Sequence, residues 1–336
     1  MIRPFGLRDV TKLKQLQPRG VSFDLRRALL YAPSPIHSAL LGYFTRYYAG
    51  PVTWVHQNTE DDLAGVVQAW PRAKRSGWDL GFLAPALGYH HRVPTIWQEL
   101  LKHLIILGAS QGVSKIYARS PDDPEIREVL RQVGFVAVAR EEIFFLLCPP
   151  EPAAQPRGLR PVTREDYWAL AELYQSVLPP LVQRAEGFPP SRPGTLGRLL
   201  GLGKGREYVW MEGKKAIAHF RLSGGRRGYW LEVVVRPEYR AEVLPHLKYI
   251  LTLSECSASK PLYCPVPDYN VGLGWLLRTL GFQPYTKQAL FVVNTMARVP
   301  ARQSLIIPGF ERGIDARSSV GHIPSSFQTE DHRLTA

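Results

Sequence analysis

The hydrophobic and polar positions of this chain repeat one pattern twice. Alternating or continuous apolar runs predict strands at 52–57, 63–70 and 78–84, then a helix at 95–110 and a strand at 113–118. A helix at 124–133 and strands at 135–138 and 141–147 complete the first set. The second set runs through strands at 207–212, 215–223 and 228–235, a helix at 242–255, and a strand at 261–266. It ends with a helix at 271–280 and strands at 282–286 and 288–295. Both sets open alike, with IRPFGLRDVTKLKQL at the start of the chain and LRPVTREDYWALAEL from Leu159. Each opening puts Arg-Pro on a short strand, an acidic residue near a helix start, and helical apolar spacing after it. Both sets close alike, with Gly-Phe after a helix (Gly134 and Gly281) leading into extended segments. A glycine there suits the left-handed residue that ends a helix.

A repeat of about 150 residues is too long for a solenoid unit and signals a duplicated domain. The proline-rich stretch Pro149–Gly158 reads as the joint. The expected organisation is a first domain over 1–148, a linker over 149–158, a second domain over 159–298 and a flexible tail over 299–336, in which Leu305–Phe310 could dock. The fold class is α/β, with helices around a mixed sheet in each half.

Composition narrows the classes. The most apolar helix carries Lys102 and His103 and is too short for a membrane span. No apolar leader follows the charged start, and three cysteines (Cys148, Cys256 and Cys264) lack metal or redox spacing, so a cytoplasmic setting is expected. The net charge of +13 divides into +5 over 1–150 and +8 over 151–298, with a neutral tail. The excess therefore belongs to the folded halves, not to a basic arm, and a nucleic-acid partner is not favoured. Neither a phosphate-binding G-x-x-x-x-G-K-[ST] loop nor a G-x-S-x-G elbow occurs; GLGKGRE, from Gly201, lacks the strand and the hydroxyl that the former needs.

The doubled IRP-x-x-x-x-D opening and helix-Gly-Phe-strand ending resemble the GNAT superfamily, the acyl-CoA N-acyltransferase fold, over about residues 1–298. The resemblance implies two tandem GNAT-type domains, acetyl-CoA as co-substrate, and a small-molecule or peptide amine as acceptor, with no membrane partner. In that family a loop of the form R/Q-x-x-G-x-G/A aims backbone N–H groups at a pyrophosphate, helped by a helix N-terminus. VVVRPEYRAEVLPHL places the second-half loop arginine at Arg240, with Val243 and Pro245 at the glycine positions. HHRVPTIWQELLKHL places the first at Arg92, with Thr95 and Trp97 there. Bulk at those positions predicts a weakened grip on CoA. The resemblance assigns Arg240, Val235, Asn270 and Arg92 to the acetyl-CoA site and Glu232 to the general base, with Asp79 as its first-half counterpart. Asp123 stands at the first-half asparagine position. The family's frequent general-acid tyrosine is replaced by Leu130 and Leu277.

Read from the residues themselves, several of these have plainer roles. Glu232 should face the same way as Trp230 and Val234, where desolvation would raise its pKa, yet it could equally pair with an arginine. Asn270 could cap the helix expected from Val271. Arg92 and Arg240 could be surface arginines near helix starts. His90 and His91 lack a carboxylate or cysteine at ligand spacing. Tyr43, Tyr47 and Tyr48, near Arg46, could line an acceptor cleft or simply the core, and GGRRG (Gly224 to Gly228) reads as a solvated turn. Two functional readings follow: an N-acetyltransferase working in its second half, or a catalytically silent tandem fold that binds a ligand or a protein. A nucleic-acid binder ranks third.

Overall fold

A computed structural model describes residues 1–32, 34–45, 50–57, 63–72, 76–148, 151–186 and 205–295. Contacts divide the chain into Met1–Arg298 and Val299–Ala336. The expected tail, with Leu305–Phe310, lies outside the described residues, as do Arg46, Tyr47, Tyr48 and the start of the GLGKGRE segment. No described helix is long and apolar enough to cross a membrane.

The first half runs β1 (Ile2–Pro4), α1 (Val10–Leu16), β2 (Val21–Ser22), α2 (Leu25–Tyr31), α3 (Pro35–Phe44), β3 (Val52–Gln57), β4 (Leu63–Pro71) and β5 (Gly77–Ala84). It continues through α4 (Val93–Ser110), β6 (Lys115–Pro121), α5 (Pro124–Gln132) and β7 (Val136–Leu146). The second half runs β8 (Leu159–Pro161), α6 (Tyr167–Val177), α7 (Pro180–Glu186), β9 (Gly205–Glu212), β10 (Lys215–Gly224) and β11 (Tyr229–Val235). It closes with α8 (Leu244–Thr252), β12 (Leu262–Pro267), α9 (Leu273–Thr279) and β13 (Gln283–Asn294).

The two openings are built by the same local chemistry. Arg3 forks onto both oxygens of Asp9 at 2.7 Å each, and Arg160 onto both oxygens of Asp166 at 2.7 and 2.6 Å. Each aspartate also accepts the backbone N–H three residues before it, from Gly6 and Thr163, at 2.8 Å. A planar guanidinium meeting a carboxylate side-on gives two charge-assisted bonds and one geometry. The motif therefore fixes the angle at which each first helix leaves its strand. Gly134 (φ 92°) and Gly281 (φ 88°) stop α5 and α9 in the left-handed region.

The largest departure from the expected elements is at the closing strands. The two short strands expected at each end merge into single long ones, β7 and β13. The sheet order explains the merger: β1-β3-β4-β5-β6-β13-β7-β12-β11-β10-β9-β8. Read inward from either edge, the halves are alike until the centre, where each has given its last strand to the other. Residues 288–294 of β13 pair with β6 of the first half, and residues 141–146 of β7 pair with β12 of the second. The two long strands pair with each other between (Gln288 opposite Glu141, for example). A strand held by partners from both halves stays extended throughout.

Packing follows the exchange. The core under α4 and α5 includes Ala289, Phe291 and Val293 of β13. The core under α8 and α9 includes Phe144 and Leu146 of β7. On the other face, α2 of the first half packs through Leu30 on Ile143, Trp230 and Tyr263. In return, α7 of the second half packs through Ala185 on Tyr117, Leu290 and Val292. The joint is itself tied down: Gln155 donates to the Leu159 carbonyl at 2.6 Å and accepts from Tyr249 of α8 at 3.2 Å.

The opening motifs give the chain a defined acid sensitivity. The fork from Arg160 and the Thr163 bonds outweigh burial and hold Asp166 at about 2. Asp9 is pushed up by burial but brought lower overall by Arg3 and the Gly6 N–H. A carboxylate depressed on folding stabilises fully above its unfolded value of ~4 and loses that contribution as pH falls through the folded value. Urea midpoints should therefore decline between pH ~4 and ~2, and Asp166→Asn should flatten that decline while lowering stability at neutral pH. A variant with the slope of the unmodified protein would contradict this.

Candidate functional site

The second half is organised around the parallel pair β11 and β12. Their ladder consists of Tyr229 opposite Leu262 and Trp230 opposite Tyr263, after which the strands part. The backbone of Val233 faces the resulting split, because Asn270 Nδ2 donates to its carbonyl at 3.5 Å. The two-residue period of a strand turns Val235 the same way, and the bond from the Arg236 N–H to Ile217 on the far side agrees. Asn270 is buried, and its Oδ1 has no hydrogen-bond partner among the described residues. It does not cap α9: Gly272 holds that position, with no side-chain cap. Its first-half counterpart Asp123 does cap, accepting the Glu125 and Ile126 N–H groups at 2.8 and 3.1 Å.

Arg240 stands at the mouth of this split. A Cβ added to Gly272 would lie 3.7 Å from its Cδ, so the arginine leans from the loop before α8 against the loop before α9. Its Nε is enclosed with no hydrogen-bond partner among the described residues. The expectation that Val243 and Trp97 would obstruct the phosphate loops is corrected by their packing. Both are 0% exposed and turn into the two cores, where Trp97 also donates to the Pro85 carbonyl at 2.7 Å. At those two positions the added bulk faces inward, whereas Thr95 and Pro245, at the other two glycine positions, are exposed. The Glu242 and Val243 N–H groups turn inward as well, onto the Tyr239 carbonyl.

Glu232 lies on the opposite face of β11 from Leu231 and Val233, which belong to the core under α8 and α9. Trp230 packs on that opposite face under α2 and Val234 under α6. Arg221, directly across the ladder on β10, approaches Glu232 Oε2 at 3.3 Å. Arg26, on α2 of the first half, donates to Oε1 at 2.8 Å and to Ser223 Oγ at 2.8 Å. Arg221 also meets Glu207 at 3.3 Å, and His219 beside it bonds the Tyr174 hydroxyl at 2.9 Å. The expected rise in the Glu232 pKa is thereby reversed. Enclosure pushes it up, but Arg26 and Arg221, with Arg119 and His219 beyond them, bring it below the ordinary value. Glu232 is a pinned carboxylate at neutral pH, and a weak base.

The first half shows the same plan with less left open. Asp79 on β5 is paired with Arg72 at 2.7 Å, and Arg72 lies 3.4 Å over the Tyr117 ring. Arg92 is exposed at the N-terminus of α4. An open groove of about 610 Å³ beside it is lined by His90, His91, Glu125 and Glu128, among others. Two carboxylates there oppose a pyrophosphate. Leu130 and Leu277, where the family often has tyrosine, are 0% exposed core residues. The rings of His90 and His91 lie tilted against each other, and no group of three metal-type ligands occurs among the described residues. Tyr43 is edge-on to Phe44 at the protein surface, and Arg227 of the GGRRG turn gives its N–H to the Leu30 carbonyl of α2.

Sequence reasoning missed Arg26, Arg119, Glu141 and Glu186. Arg119 on β6 holds Glu186 of α7 at 2.6 Å, the mirror of Arg26 of α2 holding Glu232 of β11. Each half sends a charge from its second helix onto the other half. These side chains are walled in by protein, yet Glu232 and Arg119 keep 32% and 31% of their surface accessible. They lie on the face of the sheet on which α2 and α7 pack.

No protein-family model matches this chain, and no curated protein matches it in sequence. Solved structures similar to it in fold include two of about its own length. One is a GCN5-related N-acetyltransferase from Sphaerobacter thermophilus, with a TM-score of 0.52 at 13% identity, covering 88% of this chain and 95% of that one. The other is a tandem GNAT protein from the clavulanic acid biosynthesis pathway, with a TM-score of 0.50 at 14% identity, covering 88% and 98%. Together with the doubled element order and the split between β11 and β12, these likenesses identify the architecture: the chain has the α/β fold of a tandem GCN5-related N-acetyltransferase.

Proposed function

We propose that this protein transfers an acyl group from acyl-CoA, acetyl-CoA in the first instance, to an amine, and that the second half does the work. The observation that carries the reading is the arrangement around β11. The split beside β12, with Asn270 Oδ1 and Arg240 Nε unpartnered among the described residues, lies along one edge of the strand, and the partly exposed carboxylate of Glu232 stands on its α2 face.

In this reading Arg240 neutralises pyrophosphate charge at the mouth of the split. Asn270 Oδ1 accepts an amide N–H of the pantetheine arm, and the backbone of Val233 and Val235 pairs with that arm as a strand edge would. The co-substrate supplies the activated acyl carbonyl. Strand N–H groups facing the split polarise that carbonyl as charge builds on its oxygen. The amine enters from the α2 and α7 side as a free base and is held by Glu232, which takes up its proton directly or through water. Because Glu232 is already ionised well below neutral pH, the acid limb of the rate profile belongs to the amine and not to Glu232. Leu277 offers no proton, so the thiolate leaves as such or takes a proton from water. The first half contributes Arg26 and the exchanged strand.

A second reading, a silent fold that binds ligand without turnover, is favoured by the double ion pair on Glu232 and by leucine at both tyrosine positions. Thermal shift with acetyl-CoA separates binding from none. We expect a saturable rise, reduced in Arg240→Ala and unchanged in Arg92→Ala. We expect Glu232→Gln to keep the rise and lower turnover by about 10²-fold or more. A rise without turnover against a panel of amines establishes the silent reading. No rise at all rules out acyl-CoA as the ligand, and a rise lost in Arg92→Ala instead would move the site to the first half.

A further inference from the structure

The first half has a strand split of its own, and the chain fills it. β5 and β6 form a parallel ladder from Gly77 opposite Lys115 to Asp79 opposite Tyr117, and then part. Beyond that point β5 keeps β4 on one edge, with Val67 opposite Leu83 and Gln68 opposite Phe82. The same two residues of β5 take β2 on the edge that faces the gap, with Val21 opposite Leu83 and Ser22 opposite Phe82. Phe23 completes the bridge. Its N–H donates to the Gly81 carbonyl of β5 at 2.9 Å, and its carbonyl accepts the Arg119 N–H of β6 at 3.3 Å. A short stretch of backbone thus lies between the parted strands and bonds to both.

The packing is that of a fitted insert. Phe23 is 2% exposed and belongs to the core under α4 and α5, its ring edge-on to Trp97 at 5.7 Å. The bulk of Trp97, at a loop-glycine position, therefore packs against the inserted segment. Gly20 lets the backbone come close: a Cβ there would lie 2.1 Å from the Phe82 ring and 3.0 Å from the Leu83 carbonyl oxygen. The segment is also tied at both ends. The Arg19 carbonyl accepts the Ala86 N–H, and Asp24 caps α2 by accepting the Arg27 N–H at 3.0 Å.

The second half has no room in its chain for the same device. Residues 17–24 separate α1 from α2, whereas only Leu178 and Pro179 separate α6 from α7. Among the described residues β11 pairs with β10 and β12 alone. An extended ligand that binds as an added strand needs the N–H and C=O groups of such an edge. We infer that residues 20–23 are a built-in occupant of the first half's split, barring an amide-bearing arm from it, so that the chain takes one acyl-CoA and takes it in the second half. The identity of the ligand rests on the transferase reading above, while the occupancy of the first split stands apart from it.

The test is calorimetry with acetyl-CoA on the full chain, together with amide hydrogen exchange in its absence and presence. In the free protein the Phe23, Ala86 and Arg119 amides should exchange as slowly as those in the middle of α4. Acetyl-CoA, bound at one equivalent per chain, should leave them unchanged. Gly20→Val should speed exchange at Phe23 and Arg119 by about tenfold or more, while the Trp230 and Tyr263 amides keep their rates. Two equivalents per chain would overturn the inference. So would loop-like exchange at Phe23 and Arg119 in the free protein, a change at either amide on adding acetyl-CoA, or rates there untouched by Gly20→Val. The unmodified protein decides even if Gly20→Val does not fold. Slow exchange at the three amides with no acetyl-CoA bound leaves the occupied split standing and sinks the transferase reading. Two equivalents bound, with the three amides released, does the reverse.

Discussion

Everything in this molecule depends on the pairing of β7 with β13 at the centre of the sheet. Each of these strands closes the sheet of the half it did not come from. Phe291 and Val293 are buried in the first core, and Phe144 and Leu146 in the second. Burying side chains of this size stabilises by ~1.5–3 kcal/mol each. Their sum is comparable to the whole net stability of a typical domain, ~5–15 kcal/mol. Neither half can give up the visiting strand and keep its core. The tandem repeat is thus a single folding unit in energetic terms, although its sequence reads as two domains and a joint.

The same exchange makes the chemistry of the site. Because α2 lies on β11, Arg26 reaches Glu232; because α7 lies on β6, Glu186 reaches Arg119. Within the second half Arg221 already pairs with Glu232, and Arg26 from the first half adds a second cation, so the carboxylate is pinned and ionised. In the proposed reading the first half therefore helps to shape the acceptor site through Arg26.

Much of this was legible in the residues. The Arg-Pro and Asp spacing was visible twice, and the structure gives it the same forked ion pair twice. The helix-ending glycines and the order of strands and helices were also visible, because they rest on local chemistry and on periods of two and 3.6. The exchange was not. A strand that alternates Phe291, Val292 and Val293 shows the same pattern whichever sheet receives it. Arg26 lies 206 residues from Glu232 in sequence, so no local reading could place the charge that reverses its pKa. Val243 and Trp97 misled for a related reason. A large residue at a glycine position obstructs a ligand only if it points outward, and both point in.

Hydrogen exchange under increasing denaturant, followed amide by amide, tests the interlocking most directly. If the exchanged strands bind the halves into one unit, amides of β6 (Lys115–Pro121) and β12 (Leu262–Pro267) will merge into a single unfolding transition, together with those of β7 and β13. If β6 and β12 instead open at separate denaturant concentrations, with β7 following the first half and β13 the second, the halves are independent domains and the strand exchange does not interlock them.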